Sequence, residues 1–259
     1  MGSSLHQQLH AMEHDGHVTL RGIFDPDTVA AIADELDRAL RADQTHQSAI
    51  ARGDVIVAAR NILEVYPPAT SLWRKPALVD FLAGVLGKDF GLMRGLYFDK
   101  PPGKSWALPW HQDRAIAVRK NRLPGTVFGK PTTKAGVPHV ESPLWLSKQI
   151  VMIRIHLDPM VEENGPLHVL SGSHHDDMKT DGLPDILVTA TPGDVLAMPR
   201  CFSITAMKPR PDAPSTGEFC TWNSPVAQPS PTATNGTPSS RASPDIRRLH
   251  PSKNFFPCL

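Results

Sequence analysis

His111 and Asp113 are the residues in this sequence whose types and spacing best suit holding a metal ion. Two residues apart on an extended strand, their side chains leave the same face of a sheet. An imidazole nitrogen and a carboxylate oxygen can then converge on one point. That is two thirds of the 2-His-1-carboxylate set that binds non-heme Fe(II) and leaves other coordination positions open. The spacing alone also fits a surface turn after Pro109, since so short a motif recurs by chance.

Two helices and a series of short strands surround the pair. Val18–Ile23 alternates and reads as a strand. Asp25-Pro26-Asp27 then starts a helix, with Asp as cap and proline where its missing N–H costs nothing. Val29, Ile32, Ala33, Leu36 and Leu40 recur at helical spacing, which predicts an amphipathic helix over Asp27–Ala42 with a solvated charged face. Pro76 starts a second helix, with Leu78, Phe81, Leu82, Val85 and Leu86 on one side and Gly87 as its stop. Val55–Val57 and Asn61–Val65 read as short extended pieces, and Phe90–Phe98 as the strand that leads into the His111 segment.

Downstream, Asn121–Pro143 is a polar stretch rich in Gly, Pro and Lys, with His139 and Glu141 near its end. It reads either as a lid or as a plain insertion. Gln149–Leu157 alternates as a strand, Asn164-Gly165 makes a tight turn, and Leu167–Leu170 is expected to pair back. Ile186–Thr189 and Val195–Met198 flank Pro192-Gly193-Asp194 as a further expected hairpin. The fold class expected from these elements is mostly β, antiparallel (α+β), with the helices packed outside a double sheet.

Composition narrows the setting. At 259 residues, one large domain with a sizeable core is allowed. A formal net charge of +1 gives no bulk attraction to nucleic acid or to a membrane surface. No apolar run approaches the roughly 20 residues that span a bilayer, and the N-terminus lacks a signal-peptide pattern. The cysteines Cys201, Cys220 and Cys258 imply no disulfide framework. The expectation is a soluble, cytoplasmic protein, monomeric, acting on a small molecule. Of 26 prolines, 11 lie from Pro199 onward among Ser, Thr, Ala and Asn, which places a domain boundary there. The expected division is a flexible N-terminus over 1–13, a β domain over 14–200 and a disordered tail over 201–259.

Gly95–Val118, G-L-Y-F-D-K-P-P-G-K-S-W-A-L-P-W-H-Q-D-R-A-I-A-V, resembles the metal-site strand of the phytanoyl-CoA dioxygenase family. Glu163–His174, E-N-G-P-L-H-V-L-S-G-S-H, is similar to that family's E-N-G-x-L-x-x-x-P-G-S-H turn, with Ser171 where proline is usual. His14–Asp27 and Pro192–Met198 fit as well, so the likeness runs in order from about His14 to Met198. What it implies is a double-stranded β-helix (jelly-roll, cupin-like) and Fe(II) held by His111 and Asp113. It further implies 2-oxoglutarate as cosubstrate, and O2-dependent hydroxylation of a small organic or acyl substrate. For the cosubstrate it points to Gln112, to Met93 on the preceding strand, to Arg60 before the second helix, and to Arg154, where tryptophan is frequent; Arg94 is a further candidate. An arginine fork suits a carboxylate.

The resemblance stops where the third iron ligand belongs. A second histidine is expected near Ser203 and Ile204, within Pro199–Met207, and that stretch contains none. Back-translated one frame over from Met198, degenerate codons permit A-P-L-L-F-H-H-S-N-E. The same frame permits R-I-L-H-L-E-L-A-G where Glu218–Ala227 now stand. Both strings resemble the family, so a gained or lost base in the gene is expected near that codon, with the β-helix incomplete at its C-terminus and activity poor. His174, His175, Asp176 and Asp177 form a second dense cluster; the resemblance gives that turn a corner role rather than a metal. His156 and His168 read as structural, and His250 sits in the tail, too far from any rigid scaffold to be placed.

Overall fold

The computed structural model of the chain describes residues 3–43, 49–101, 103–104, 106–122, 127–134, 136–176, 180–206, 210, 212 and 217–225, with only the backbone path for 218–225. The first element is α1 (Leu5–His14). Ser4 starts it with a reciprocal cap: the Gln7 N–H donates to Ser4 Oγ at 3.3 Å, and the Ser4 N–H donates to Gln7 Oε1 at 2.8 Å. The expectation of a flexible terminus over 1–13 is corrected here. Its signal, Ser-x-x-Gln ahead of Leu9 and Met12, was present in the sequence, and those two apolar residues pack into the core.

After β1 (Val18–Leu20), α2 (Pro26–Ala42) forms as its spacing predicts. The Thr28 N–H donates to Asp25 Oδ1 at 2.8 Å, and Val29, Ile32, Leu36 and Leu40 are buried. The chain continues through β2 (Ala49–Arg52) and β3 (Val55–Ala59) into α3 (Ile62–Val65). The extended piece expected at Asn61–Val65 is therefore wrong. Asn61 takes a left-handed φ of 55°, which turns the chain and lets Ile62 enter the core as the first residue of a helical turn. α4 (Pro76–Leu86) follows, burying Leu78, Phe81 and Leu82 and ending at Gly87 with φ +84°.

The remaining strands are β4 (Phe90–Asp99), β5 (Leu108–Gln112), β6 (Ala115–Ala117), β7 (Gly129–Lys134) and β8 (Val137–Glu141). After the short α5 (Leu144–Ser147) come β9 (Val151–His156), β10 (Leu167–Leu170), β11 (Asp185–Leu187), β12 (Val195–Pro199), β13 (Ser203–Ala206) and β14 (Gly217–Pro225). All pairings are antiparallel, as expected. A seven-stranded sheet runs β1-β12-β9-β14-β4-β3-β2, a four-stranded sheet runs β11-β10-β13-β5, and a three-stranded sheet runs β6-β8-β7.

Strand period explains the layers. On β9, Val151, Ile153 and Ile155 join the helices in one core, while Met152 faces the other way. β12 does the same: Val195 and Ala197 meet the helices, and Leu196 and Met198 join Val169, Ile204 and Ala206 of the four-stranded sheet in a second core. The helices thus cover one face of the large sheet, and the smaller sheet covers the other. This is the mostly β architecture with outer helices that the sequence implied.

Two hairpin expectations fail. β10 pairs with β11 and β13, not with β9, and β12 pairs with β1 and β9, not with β11. Each turn carries the chain from one sheet to the other, because both edges of β9 are taken by β12 and β14 and both edges of β12 by β1 and β9. The disordered tail is corrected at two places as well. Ser203–Ala206 lies between β10 and β5, and Gly217–Pro225 lies between β9 and β4. Residues 226–259 lie outside the described residues. Among the described residues, no helix is long and apolar enough to cross a membrane.

Candidate functional site

β5 ends at Gln112, and the Arg114 N–H donates back to the Gln112 carbonyl at 3.0 Å. Asp113 therefore sits at a tight three-residue turn rather than on the extended strand that the spacing assumed. The turn still brings the pair together: His111 Nε2 and Asp113 Oδ1 are 3.9 Å apart. Two donors that each bind one ion at 2.0–2.2 Å can be no more than about 4.4 Å apart, so the separation permits a shared metal. His111 Nδ1 lies 2.7 Å from the Pro109 carbonyl, which only accepts. In the neutral imidazole the proton then sits on Nδ1, which leaves the Nε2 lone pair on the side of Asp113.

Across from β5 lies β13. Ile204 is the register partner of His111, and Ser203 that of Gln112. These are the positions where a second histidine was expected; one is apolar and 3% exposed, the other a serine. Gln112 Nε2 donates to Ser203 Oγ at 3.5 Å, and the Ser203 N–H donates to Ser173 Oγ at 2.9 Å. No group of three His, Cys, Asp or Glu side chains among the described residues is arranged to hold a metal ion. The residues present fit two corners of a three-donor ferrous site and not the third.

A cavity of about 370 Å³ opens beside this pair. His111, Gln112 and Trp110 line one side, and Arg114, Lys130, Lys134 and Glu141 the other. The stretch read as lid or insertion supplies much of that second wall, as the β7–β8 hairpin. A smaller neighbouring cavity is lined by Asn61, Met93 and Arg94. Of the cosubstrate candidates, Gln112 thus lines the larger cavity, and Met93 and Arg94 the smaller one. Arg60 stands close enough to Lys134 to depress its pKa. Arg154 is 7% exposed and shares the inner face of β9 with Met152.

Two buried side chains near the site take their place only in the tertiary structure. His139 is fully buried, its Nδ1 donates to the Val137 carbonyl at 2.8 Å, and its Nε2 accepts from Arg94 Nη1 at 2.8 Å. Burial, reinforced by the charges of Arg94, Lys134 and Arg60, pushes the imidazole down to about 4, while the Val137 hydrogen bond opposes this. His139 is thus a neutral prop that fixes the Arg94 guanidinium. Arg200 is buried and donates to the Ala115 carbonyl; burial pushes it down to about 10, against the pull of Asp113. No local pattern marks either residue, since each acquires its role from strands distant in sequence.

The other histidines fall into structural places. His174 and His175 donate to the carbonyls of Glu13 and His14, at 3.0 and 3.1 Å, and so fasten the end of α1. His168 pairs with Asp185 at 2.8 Å, and His156 is buried in the large sheet. Asp177 and His250 lie outside the described residues.

Residues 12–194 match the sequence profile of the phytanoyl-CoA dioxygenase (PhyH) family. The chain belongs to the phytanoyl-CoA dioxygenase family. That match begins near the end of α1, spans α2 to α5, β5 and the His111–Asp113 pair, and ends just before β12. Solved structures agree on the fold. The non-heme alpha ketoglutarate dependent epimerase SnoN from nogalamycin biosynthesis is similar at a TM-score of 0.65 and 16% identity, covering 97% of this chain and 96% of that one. EctD from S. alaskensis, crystallised with bound Fe, has a TM-score of 0.65 and 18% identity, covering 85% of this chain and 76% of that one. For EvdMO1 the TM-score is 0.61 at 19% identity, covering 86% of this chain but 50% of that one, so this chain spans about half its length. No curated protein sequence matches the chain. EctD from S. alaskensis was also crystallised with 2-oxoglutarate and 5-hydroxyectoine, so iron and 2-oxoglutarate, the pair that the resemblance implies, both occur in that structural relative.

Proposed function

We propose that the chain is a non-heme Fe(II)/2-oxoglutarate-dependent dioxygenase by descent, a hydroxylase of a small organic or acyl substrate, whose iron is gripped by only two side chains. The observation that carries this reading is the pair His111 and Asp113 at 3.9 Å, with Ile204 as the cross-strand partner of His111. Losing one of three donors weakens metal binding, since even an outer-shell partner of a ligand is worth about 10–100-fold in affinity. Poor turnover follows.

The residues present have definable parts in such a pocket. His111 offers Nε2 because Pro109 holds its other proton, and Asp113 offers a carboxylate. Gln112, Arg60, Met93 and Arg154 are the side chains we assign to the cosubstrate. Arg94, propped by neutral His139, is a further cation there. The reading includes O2 and a small molecule as reaction partners, and a monomer in the cytoplasm.

A second reading is favoured by Ile204 itself. An apolar side chain at the metal's third corner suits a metal-free relative that keeps the pocket to bind a ligand. Anaerobic titration with Fe(II) and 2-oxoglutarate separates the two. A weak visible charge-transfer band, with slow 2-oxoglutarate-dependent turnover, supports the impaired oxygenase. Absence of the band in chain that is folded by circular dichroism supports the binding protein. Turnover equal to that of a three-donor relative refutes the two-donor reading.

A further inference from the structure

α1 carries three histidines at four-residue spacing, His6, His10 and His14, all exposed and all away from the pocket beside His111. Residues four apart on a helix share one face, with Cβ atoms about 5–6 Å apart. The last two already lie as a pair. The His10 and His14 rings stand 5.8 Å apart, centroid to centroid, and 11° from parallel. Two imidazoles one turn apart are the means by which a helix presents two nitrogens to one metal ion.

One ring is oriented and the backbone beneath both is held. His14 Nδ1 lies 3.0 Å from Asp15 Oδ1, and a carboxylate only accepts. In the neutral imidazole Nδ1 then carries the proton and Nε2 keeps its lone pair. A carboxylate on the far nitrogen is the usual partner of a metal-ligating histidine, because it fixes the tautomer and raises basicity. On the inner face of α1, Met12 is buried and Leu9 packs against the same core. The end of the helix is fastened too: His174 and His175 donate to the carbonyls of Glu13 and His14, and the Gly172 N–H donates to the Asp15 carbonyl at 2.8 Å. Donors about 2.0–2.1 Å from one ion sit no more than about 4.2 Å apart. A tilt of the two exposed rings toward each other reaches that spacing with the helix unmoved, and exposed side chains reorient within nanoseconds.

We propose that His10 and His14 form a second metal site, a two-imidazole chelate on the surface of α1 for a first-row divalent ion, with water completing the coordination. Imidazole nitrogen suits nickel, copper and zinc, and affinity in that series peaks at copper(II). Among the described residues no group of three His, Cys, Asp or Glu holds a metal, so the ion here stays open to solvent and exchangeable. The site is separate from the His111–Asp113 corner and stands whether or not that corner binds iron. By clipping the last turn of α1 the bound ion stabilises the folded chain.

Nickel(II) is the probe, because it favours imidazole and does not oxidise the cysteines. Calorimetric titration of the whole, metal-stripped chain is expected to show a nickel site that survives His111→Ala with its affinity within about twofold. In that His111→Ala chain, adding His10→Ala or His14→Ala should weaken nickel about tenfold or more. Adding both should weaken it no further than adding one, since a single imidazole cannot chelate. Each substitution places alanine, the best helix former, at an exposed helical position, so folding is retained. As a second readout, saturating nickel should raise the urea midpoint of His111→Ala and leave that of the chain lacking both α1 histidines unmoved. Loss of nickel binding in His111→Ala, or undiminished affinity after either α1 substitution, would overturn the proposal. In particular, loss with His10→Ala alone would move the ion to His6 and His10 and overturn the pair named here.

Discussion

Ile204 lies directly across the β5–β13 pair from His111, on the same face of the sheet. Directly opposed residues in an antiparallel pair bring their Cβ atoms to about 4.5–5.5 Å. A side chain at position 204 is therefore the nearest neighbour of the imidazole across the sheet, and here it is 3% exposed and cannot donate to a metal.

Ile204→His is accordingly expected to complete the donor set. Cobalt(II) affinity, followed by visible absorption, should rise by roughly a hundredfold over the parent chain. Adding His111→Ala to that variant should abolish the gain. An Ile204→His protein that binds cobalt no better than the parent would mean that the corner lies elsewhere.

Two buried groups give opposing pH slopes. Burial, then the Asp158 carboxylate, pushes Asp99 up to about 7. Its folded form holds the proton more tightly than the unfolded chain does, so its contribution is full below about pH 4 and is lost as pH rises to about 7. His139, pushed down to about 4, works the other way: its contribution is full above about pH 6.5 and is lost as pH falls towards 4. In urea unfolding between pH 4.5 and 6.5, Asp99→Asn should leave stability rising with pH, and His139→Leu should leave it falling. Each slope should amount to roughly 1–2 kcal/mol across the window, after allowance for solvent screening of the part-exposed Asp99. A flat profile in both variants would contradict these assignments.

Asp194 anchors the turn before β12. Its carboxylate, 1% exposed, accepts from Arg21 Nη1 at 2.7 Å, the Gly22 N–H at 2.8 Å, the Thr191 N–H at 2.8 Å and Thr191 Oγ1 at 2.9 Å. Burial alone would raise its pKa, but these hydrogen bonds outweigh it and hold the group below the usual carboxylate range. Its stabilisation is therefore present above the ordinary carboxylate pKa and is lost as pH falls through the lower folded value. Asp194→Ala strands two backbone donors and should cost about 3 kcal/mol at pH 7, read from the urea midpoint. A loss under about 1 kcal/mol would show that water takes over these bonds.

Much was legible in the linear chain. Residue types at short spacing determined α2 and α4, because a cap and a 3.6-residue apolar period act between neighbours. The His111-x-Asp113 pair and the ordered motifs from His14 to Met198 were enough to reach the family. The Ser4–Gln7 cap is equally local. Tertiary structure decided what depends on strands meeting from far along the sequence. It sent β10 to a different sheet from β9, set Ile204 against His111, propped Arg94 on His139, and brought the charges of Arg60 and Arg200 to bear on Lys134. Local propensity cannot reach such pairings, because register and partner are set by which faces remain to be buried once the whole chain has packed.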